Sequence, residues 1–454
     1  MVGRRIAEDN VWTQQDISNK RRRKISKIKK KEPLISSHAS SKFWADIVSD
    51  DILLEIFFRL PDGRTALQSA LVCKHWYSLI YNSQFIDRFI CHHNDHHHHQ
   101  QQHHSLLFQR VSCARRNMYM CYFDSKLGRL VSGKNNFFGE RPLSGNVKTL
   151  PSGMFVEAVF NDLLLVTDKK YKIYICNPLR RQWMQLPDPP LGGGFGFRAR
   201  TGYGLVCRAN SCNTEVGCSI NVEYRYRVVL ISSTVMDDPT VEIFCSETGK
   251  WRTLDVSFPN QETESFGFHP VVCNGILYWL DGKRSFYGIS AFDPFNDEDD
   301  GGKRCRYVEL PIDVPEDGLL VDKTCFGACL GRVRFAHLRK INTGYFELRV
   351  WELSCDDDGI AAWDLVHHVR IERENTKKMV PLAFHPSNGD AIFMSCDDIQ
   401  FCQYEFKTYK YKELGEWPDQ MEIRKWRVSV SSLVHPPWPK SIPTLSSTSD
   451  ECIA

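Results

Sequence analysis

The stretch that decides the fold of most of this chain is YKIYICNPLRRQWMQLP, residues 171–187. It contains an alternating apolar run, an Asn-Pro turn signal, and a tryptophan followed three positions later by leucine, which predicts two strands joined by a hairpin. The aromatic-led motif returns as WRTL at 251–254, YVEL at 307–310 and YKEL at 411–414, with a shortened WDL at 363–365. The chain therefore carries a degenerate internal repeat.

A turn followed by a strand precedes most of these motifs. The examples are NDLLLVTD from Asn161, CNGILYWLDG from Cys273, CLGRVRFAHL from Cys329 and SNGDAIFMS from Ser387. Each repeat then reads as an antiparallel sheet of about 45 residues, which is typical of a β-propeller blade. Residues 105–440 would hold about six to eight such blades. The alternative is a β-sandwich or another sheet with coincidental aromatic spacing.

Residues 43–90 are different, because their apolar residues recur at helical spacing. Ile52, Ile56 and Leu60 repeat at every fourth position, and Pro61 and Gly63 then predict the end of that helix. A second stripe follows, with a break near Cys73. About 30 residues cannot bury so much apolar surface alone. Either the rest of the chain or another protein must cover it.

Charge and composition set the remaining boundaries. Residues 1–42 carry 12 Lys/Arg and 4 Asp/Glu, and 9 of the 12 residues from Lys20 to Lys31 are basic. This tail is predicted to be disordered, and to serve as a nuclear-import signal, a weak nucleic-acid contact or a solvated extension. The remainder is mildly acidic, which argues against a nucleic-acid-binding body. The His/Gln-rich residues 91–104 predict a flexible linker, with metal binding as the alternative, and residues 441–454 a disordered tail.

Several classes of protein are not favoured by the sequence. No run of 18 apolar residues predicts a membrane span, and the polar N-terminus does not resemble a secretory leader. The 17 cysteines then read as reduced thiols of the nucleus or cytoplasm.

No catalytic constellation or cofactor site emerges from the candidate motifs. The glycine-rich run at 192–197 lacks the Lys-Ser/Thr of a phosphate-binding loop. Acidic clusters at 295–302 and 355–359 lack calcium-ligand spacing and read as hairpin tips. His367 and His368 lie on one predicted strand, with side chains expected on opposite faces. The cysteine spacing is wrong for zinc at Cys207, Cys212 and Cys218.

The helical region resembles the F-box, a motif of substrate-receptor subunits in cullin–RING ubiquitin ligases. The resemblance rests on Asp51-Ile52-Leu53, Glu55-Ile56, Arg59-Leu60-Pro61, Leu71-Val72-Cys73-Lys74, Trp76, Ser78-Leu79-Ile80 and Phe85. One departure is Val48-Ser49, where the family usually has Leu-Pro. The repeats, in turn, resemble the kelch-like F-box-associated repeats of plant F-box proteins, through YICNPLRRQWMQLP, TGKWRTL, NGILYWL, AFDP and VWEL.

These resemblances imply a multidomain chain with an N-terminal helical F-box followed by a β-propeller. They imply a non-catalytic subunit that binds a Skp-family adaptor, and cullin through it, while the propeller binds a protein substrate. The alternatives are a propeller enzyme, a scaffold that delivers no substrate, and helices that pack only on the propeller. The residues expected to face the adaptor or to support that face are Ile52, Leu53, Ile56, Leu60, Pro61, Leu71, Val72, Trp76, Leu79 and Ile80.

Overall fold

The structure is a computed structural model. It describes residues 48–96, 103–111, 120–126, 129–132, 155–168, 170–180, 182–190, 200–209, 224–233, 239–256, 258, 270–281, 285–296, 304–311, 319–320, 323–355, 361–418, 427–436, 438–439 and 442. The chain forms two units, Met1–Phe57 and Phe58–Ala454. The predicted tails at 1–42 and 441–454, apart from Ile442, lie outside the described residues, as do the glycine run at 192–197, Cys212 and Cys218.

The helical region contains four helices within the described residues. They are α1 (Asp50–Phe58), α2 (Gly63–Ser69), α3 (Lys74–Ile80) and α4 (Ser83–His96). The predicted breaks are confirmed, and each is fixed by a cap. The Asp62 carboxylate accepts hydrogen bonds from the Thr65 amide and hydroxyl, both at 2.7 Å, which satisfies the first turn of α2. Cys73 precedes α3, and its Sγ accepts the Trp76 amide at 3.4 Å.

The predicted linker at 91–104 is shorter in the structure than in the sequence interpretation. Helix α4 continues to His96, and the first strand begins at His104. The helix continues because the His93 ring stacks on Phe89 with centroids 4.0 Å apart, and His93 Nε2 lies 2.9 Å from the Leu60 carbonyl oxygen. Phe85, Phe89 and His93 recur at every fourth position and pack along one side of α4, a helical spacing that the histidine-rich composition obscured. Residues 97–102 lie outside the described residues.

The rest of the described chain is built from strands. In chain order they are β1 (His104–Val111), β2 (Met120–Asp124), β3 (Arg129–Ser132), β4 (Phe155–Phe160), β5 (Leu163–Thr167), β6 (Ile173–Asn177), β7 (Gln182–Gln185), β8 (Arg200–Ala209), β9 (Tyr224–Ser233), β10 (Thr240–Cys245), β11 (Lys250–Asp255), β12 (Val271–Cys273), β13 (Ile276–Asp281), β14 (Ser285–Phe286), β15 (Gly288–Phe292), β16 (Cys305–Glu309), β17 (Leu319–Leu320), β18 (Thr324–Cys329), β19 (Arg332–Asn342), β20 (Tyr345–Cys355), β21 (Ala361–Glu372), β22 (Met379–Phe384), β23 (Ala391–Cys396), β24 (Gln400–Glu405), β25 (Lys410–Glu416) and β26 (Arg427–Val434).

These strands form six four-stranded antiparallel blades. The first blade is β26-β1-β2-β3, and the second and third are β4 to β7 and β8 to β11. The fourth is β12-β13-β15-β16, and the fifth and sixth are β18 to β21 and β22 to β25. Contacts run around a ring from β26 to β4, β8, β13 with β12, β18, β22 and back to β26. The predicted class, a helical F-box-like region followed by a propeller, is therefore confirmed with six blades. Strands β14 and β17 form a small separate sheet.

The ring is closed by strand exchange between the two ends of the propeller sequence. Strand β26 pairs antiparallel with β1, from His104 opposite Val434 to Val111 opposite Arg427. The last of the described strands thus supplies the inner strand of the first blade. This closure joins distant parts of the chain by a continuous ladder of paired residues.

The repeated aromatic residue joins neighbouring blades. Trp251 in the third blade donates its indole N–H to the Pro187 carbonyl after the second blade, at 2.8 Å. Trp363 in the fifth blade donates in the same way to the Glu309 carbonyl of the fourth, also at 2.8 Å. The leucine of the motif is buried at Leu310, for example. The spacing that predicted the blades is therefore the spacing of a contact between blades.

Candidate functional site

Helix α1 carries apolar side chains on two neighbouring stripes. Leu53 and Phe57 are four residues apart and buried, whereas Ile52 and Ile56, also four apart, are 55% and 52% exposed. A helix that only covered the core would place polar residues at the second pair of positions. The second stripe therefore leaves large aliphatic groups in water.

The connection between α2 and α3 exposes further apolar side chains. Leu71 and Val72 are 60% and 67% exposed, although Ala70 beside them is buried. On α3, Ile80 is fully buried while Tyr77 is exposed, and the Tyr77 ring stacks on Tyr81 with centroids 4.2 Å apart. Clustered exposure of this kind is typical of a protein–protein contact.

The predicted site residues fall into three groups by exposure. Leu53 and Ile80 are buried and support the fold, and Leu60, Trp76 and Leu79 are half-buried. The exposed members are Ile52, Ile56, Pro61, Leu71 and Val72. Their contact with an adaptor stays a prediction. Tyr77 and Tyr81 were missed, although their helical spacing after Cys73 was a usable signal.

Helix α4 contacts the chain that follows the propeller's last strand. Trp438 packs edge-on against Phe85 and Phe89, with ring centroids 6.2 and 5.5 Å away. The alternative that these helices pack on the propeller unit is thus correct for α4. It does not apply to Leu71 and Val72, which remain exposed.

Two further contacts show which end of the propeller carries α2 and α3. Lys126 Nζ lies 3.0 Å from the Asp62 carboxylate, and Arg180 Nη2 lies 3.5 Å from the Tyr81 hydroxyl. Lys126 and Arg180 both follow the third strand of their blade. Because blade strands alternate in direction, those connections share one end of the propeller, here called the helix-side face. The turns at 343–344 and 397–399 follow second strands and lie at the other end, here called the opposite face.

One serine–histidine pair and one cysteine of the first blade lie in buried positions. Ser105 Oγ lies 3.0 Å from His435 Nε2, but Ser105 is only 1% exposed, so a substrate cannot reach it. Burial lowers the pKa of His435 to about 4 and raises that of the Cys121 thiol to about 12, which keeps this cysteine protonated. Among the described residues, no three His, Cys, Asp or Glu side chains are grouped to hold a metal ion.

The paired histidines of β21 also have structural roles. His367 stacks on Phe406 of the sixth blade at 4.1 Å and lies 3.0 Å from the Gly389 carbonyl oxygen. His368 points to the other side of the sheet, where its Nε2 is 2.7 Å from the Glu347 carboxylate. The expectation that the two side chains lie on opposite faces is confirmed.

Comparison with known families accounts for both parts of the chain. An F-box-like family model matches residues 50–93, and the model described as F-box protein At3g26010-like, beta-propeller, matches residues 144–442. The chain belongs to the F-box protein At3g26010-like β-propeller family. The F-box of this family member thus includes α1 to α4 almost to the end of α4.

Relatives of this F-box protein are found in Arabidopsis thaliana. The F-box/kelch-repeat protein At1g15680 is 24% identical over 375 residues, which cover 80% of this chain and 82% of the relative. F-box protein At3g28330 is 24% identical over 363 residues, covering 77% and 81%. Among solved structures, YCF48 bound to D1 peptide matches with a TM-score of 0.33 and 9% identity, covering 69% of this chain and 84% of that chain. None of the described helices is long and apolar enough to cross a membrane.

Proposed function

We propose that this F-box protein is a non-catalytic substrate receptor of an SCF-type cullin–RING ubiquitin ligase. The F-box binds a Skp-family adaptor, and through it cullin, and the propeller binds a protein substrate. The observation that supports this best is the split within the F-box helices, where Ile52 and Ile56 are exposed beside the buried Leu53 and Phe57. A partner's groove would remove the exposed pair from water without unfolding the helix.

The test is co-expression of the full chain with a plant Skp-family adaptor, followed by size exclusion. Wild type is compared with Ile52→Asp/Ile56→Asp, which places two carboxylates where the proposal needs apolar contact. The control is Leu330→Asp/Ile399→Asp, which changes two exposed aliphatic residues of the propeller in the same way. We expect the F-box variant alone to lose co-elution. Equal co-elution of both variants would contradict adaptor binding by this stripe.

The scaffold alternative differs from the receptor in one outcome. A receptor transfers ubiquitin to a protein held by the propeller, whereas a scaffold binds the adaptor and yields no modified substrate. Reconstitution of the complex with cullin and a charged ubiquitin-conjugating enzyme, with cellular stability of candidate substrates as the readout, separates the two. Loss of modification on propeller truncation with the adaptor still bound supports the receptor.

We also propose that the protein acts in the nucleus, the cytoplasm or both, with the basic run Lys20–Lys31 as an import signal. A short segment this rich in lysine and arginine is the kind of sequence that nuclear import receptors bind. A fluorescent fusion of the full chain, with and without alanine at the nine basic positions, tests it. An unchanged nuclear fraction would contradict the import role.

A further inference from the structure

The fifth blade is longer than its neighbour. Strands β19, β20 and β21 have 11, 11 and 12 residues, whereas β13, β15 and β16 of the fourth blade have 6, 5 and 5. The excess of five to seven residues corresponds to roughly 17 to 23 Å of strand. Phe335 and Trp351, nearer the helix-side face, pack on the fourth blade. The excess therefore projects at the opposite face, around the turn 343–344.

One side of this projecting sheet is buried, whereas most of the described side chains on the other side are exposed or half-buried. Leu338, Phe346 and Leu348 are buried in a cluster shared with the sixth blade. Cross-strand pairing places the alternate residues on the other side, because paired residues share a face. That side, which we call the basic face, consists of Arg339, Tyr345, Arg349, His368 and Arg370, together with His337, Asn342 and the carboxylates of Glu347 and Glu372.

The basic face has a surplus of positive charge. Glu347 is almost buried and its carboxylate already contacts Arg339 at 2.6 Å, Arg349 at 3.2 Å and His368 at 2.7 Å. The hydrogen bond from His368 and the two arginines lower the pKa of Glu347 to about 2. Burial, with the positive charges of Lys323, Arg349 and Arg339, lowers the pKa of His337 in the same sheet. The cations thus exceed the local carboxylates, although the chain outside residues 1–42 is acidic overall.

Exposed apolar groups accompany these charges. Tyr345 and Leu365 are large, apolar and exposed on the same side of the sheet, and Leu365 lies opposite Trp351, nearer the helix-side end of this side. Leu365 belongs to the shortened repeat motif, and a register shift at Val350/Trp351 replaces the regular pairing there. Protein-binding surfaces are enriched in arginine and tyrosine beside aliphatic side chains, compared with the rest of a protein surface.

We propose that the basic face of the fifth blade binds an extended, acidic segment of a protein, which in the function proposed above is the substrate. Charge complementarity selects the occupant: Asp and Glu side chains pair with the arginines, and the apolar side chains of the segment cover Tyr345 and Leu365. Glu347 shows that this arrangement of cations already holds a carboxylate. A segment bound towards the opposite face would not cover the helix-side face, where α2 and α3 are attached.

The test uses the full chain in complex with the adaptor and a fluorescein-labelled peptide of alternating Glu and Leu, as long as β21 at 12 residues. A matched peptide carries Gln in place of Glu. Fluorescence anisotropy is measured for wild type, for Arg339→Glu/Arg370→Glu, and for the control Lys410→Glu/Lys412→Glu. The control makes the same charge change at exposed positions of β25 in the sixth blade.

We expect the Glu peptide to bind more tightly than the Gln peptide, and its affinity to fall as NaCl rises from about 0.15 to about 0.5 M. The basic-face variant should weaken it at least about tenfold, and the control less than about threefold. Equal effects of the two variants, or no binding by wild type up to about 1 mM peptide, would overturn the proposal. Adaptor co-elution is scored on the same samples, so failure of the F-box function is seen separately. Peptide binding by a chain that does not bind the adaptor would leave this surface intact and remove its role as a substrate site in a ligase.

Discussion

The sharpest prediction concerns Leu71→Ala/Val72→Ala in the connection between α2 and α3. The leucine change removes three carbons and the valine change two, worth about 2.4 and about 1.6 kcal/mol when fully buried. Since 60% of Leu71 and 67% of Val72 is exposed in the free chain, only those shares are gained on binding the adaptor. The double variant should therefore lose about 2.5 kcal/mol of adaptor affinity, roughly a sixtyfold rise in Kd.

The assay is isothermal titration calorimetry of the adaptor against the purified chain, with thermal melting of each variant alone. Leu330→Ala/Ile399→Ala is the matched control, because those side chains are 61% and 45% exposed on the propeller. Both variants should keep the free energy of unfolding within about 0.5 kcal/mol, as exposed sites usually do. A Kd within about threefold of wild type in the Leu71/Val72 variant would refute the burial argument.

Three further outcomes test the fold. Trp251→Phe removes the indole N–H that donates to the Pro187 carbonyl, so the free energy of unfolding in urea should fall by about 1 kcal/mol; an unchanged midpoint would contradict the blade contact. Burial lowers the pKa of His385 to about 3, so the folded protein keeps this imidazole neutral at a pH where the unfolded chain protonates it. The free energy of unfolding should therefore be unaffected by His385 above pH of about 6.5 and fall by up to about 1.4 kcal/mol per pH unit between there and the folded pKa. His385→Gln should reduce this slope in urea denaturation between pH 7 and about 4.5, and a slope equal to that of wild type would contradict the prediction. Deletion of 427–454 removes β26 from the first blade, so limited proteolysis should cut the remaining chain rapidly, whereas deletion of 443–454 should not.

The blade architecture was predictable because the aromatic residue of the repeat motif makes the same contact with the preceding blade in the third and the fifth blade. Trp251 and Trp363 recur at a fixed place since each bonds the preceding blade. The number of blades was not, for two reasons. The outer strand of the first blade, β3, reads RLVS and carries no aromatic motif, and its inner strand comes from the end of the repeat region. Both features result from the closure of the ring by β26 and β1, which are far apart in the sequence, so no local sequence pattern predicts them.

The candidate F-box surface was predictable as a set of residues but not as a surface. Ile52 and Leu53 are equally apolar and adjacent in sequence, and each begins a pair at helical spacing. Only tertiary packing decides that Leu53 is buried and Ile52 is not. For that reason, Leu53→Ala would mix adaptor binding with a core defect of about 2–5 kcal/mol, whereas Leu71 and Val72 report binding alone.

The basic face shows why a departure from a repeat is informative. In the other blades the leucine of the motif helps to close the packing between blades, as Leu310 does. The fifth blade has WDL in place of the full motif, and its leucine, Leu365, points into solvent beside cations that a shorter blade would not project. Arg339, Tyr345 and Arg370 lie towards the opposite face, whereas Asp62 and Tyr81 attach α2 and α3 at the helix-side face. A protein segment on the fifth blade would therefore not compete for Leu71 and Val72, so one chain could hold both partners at once.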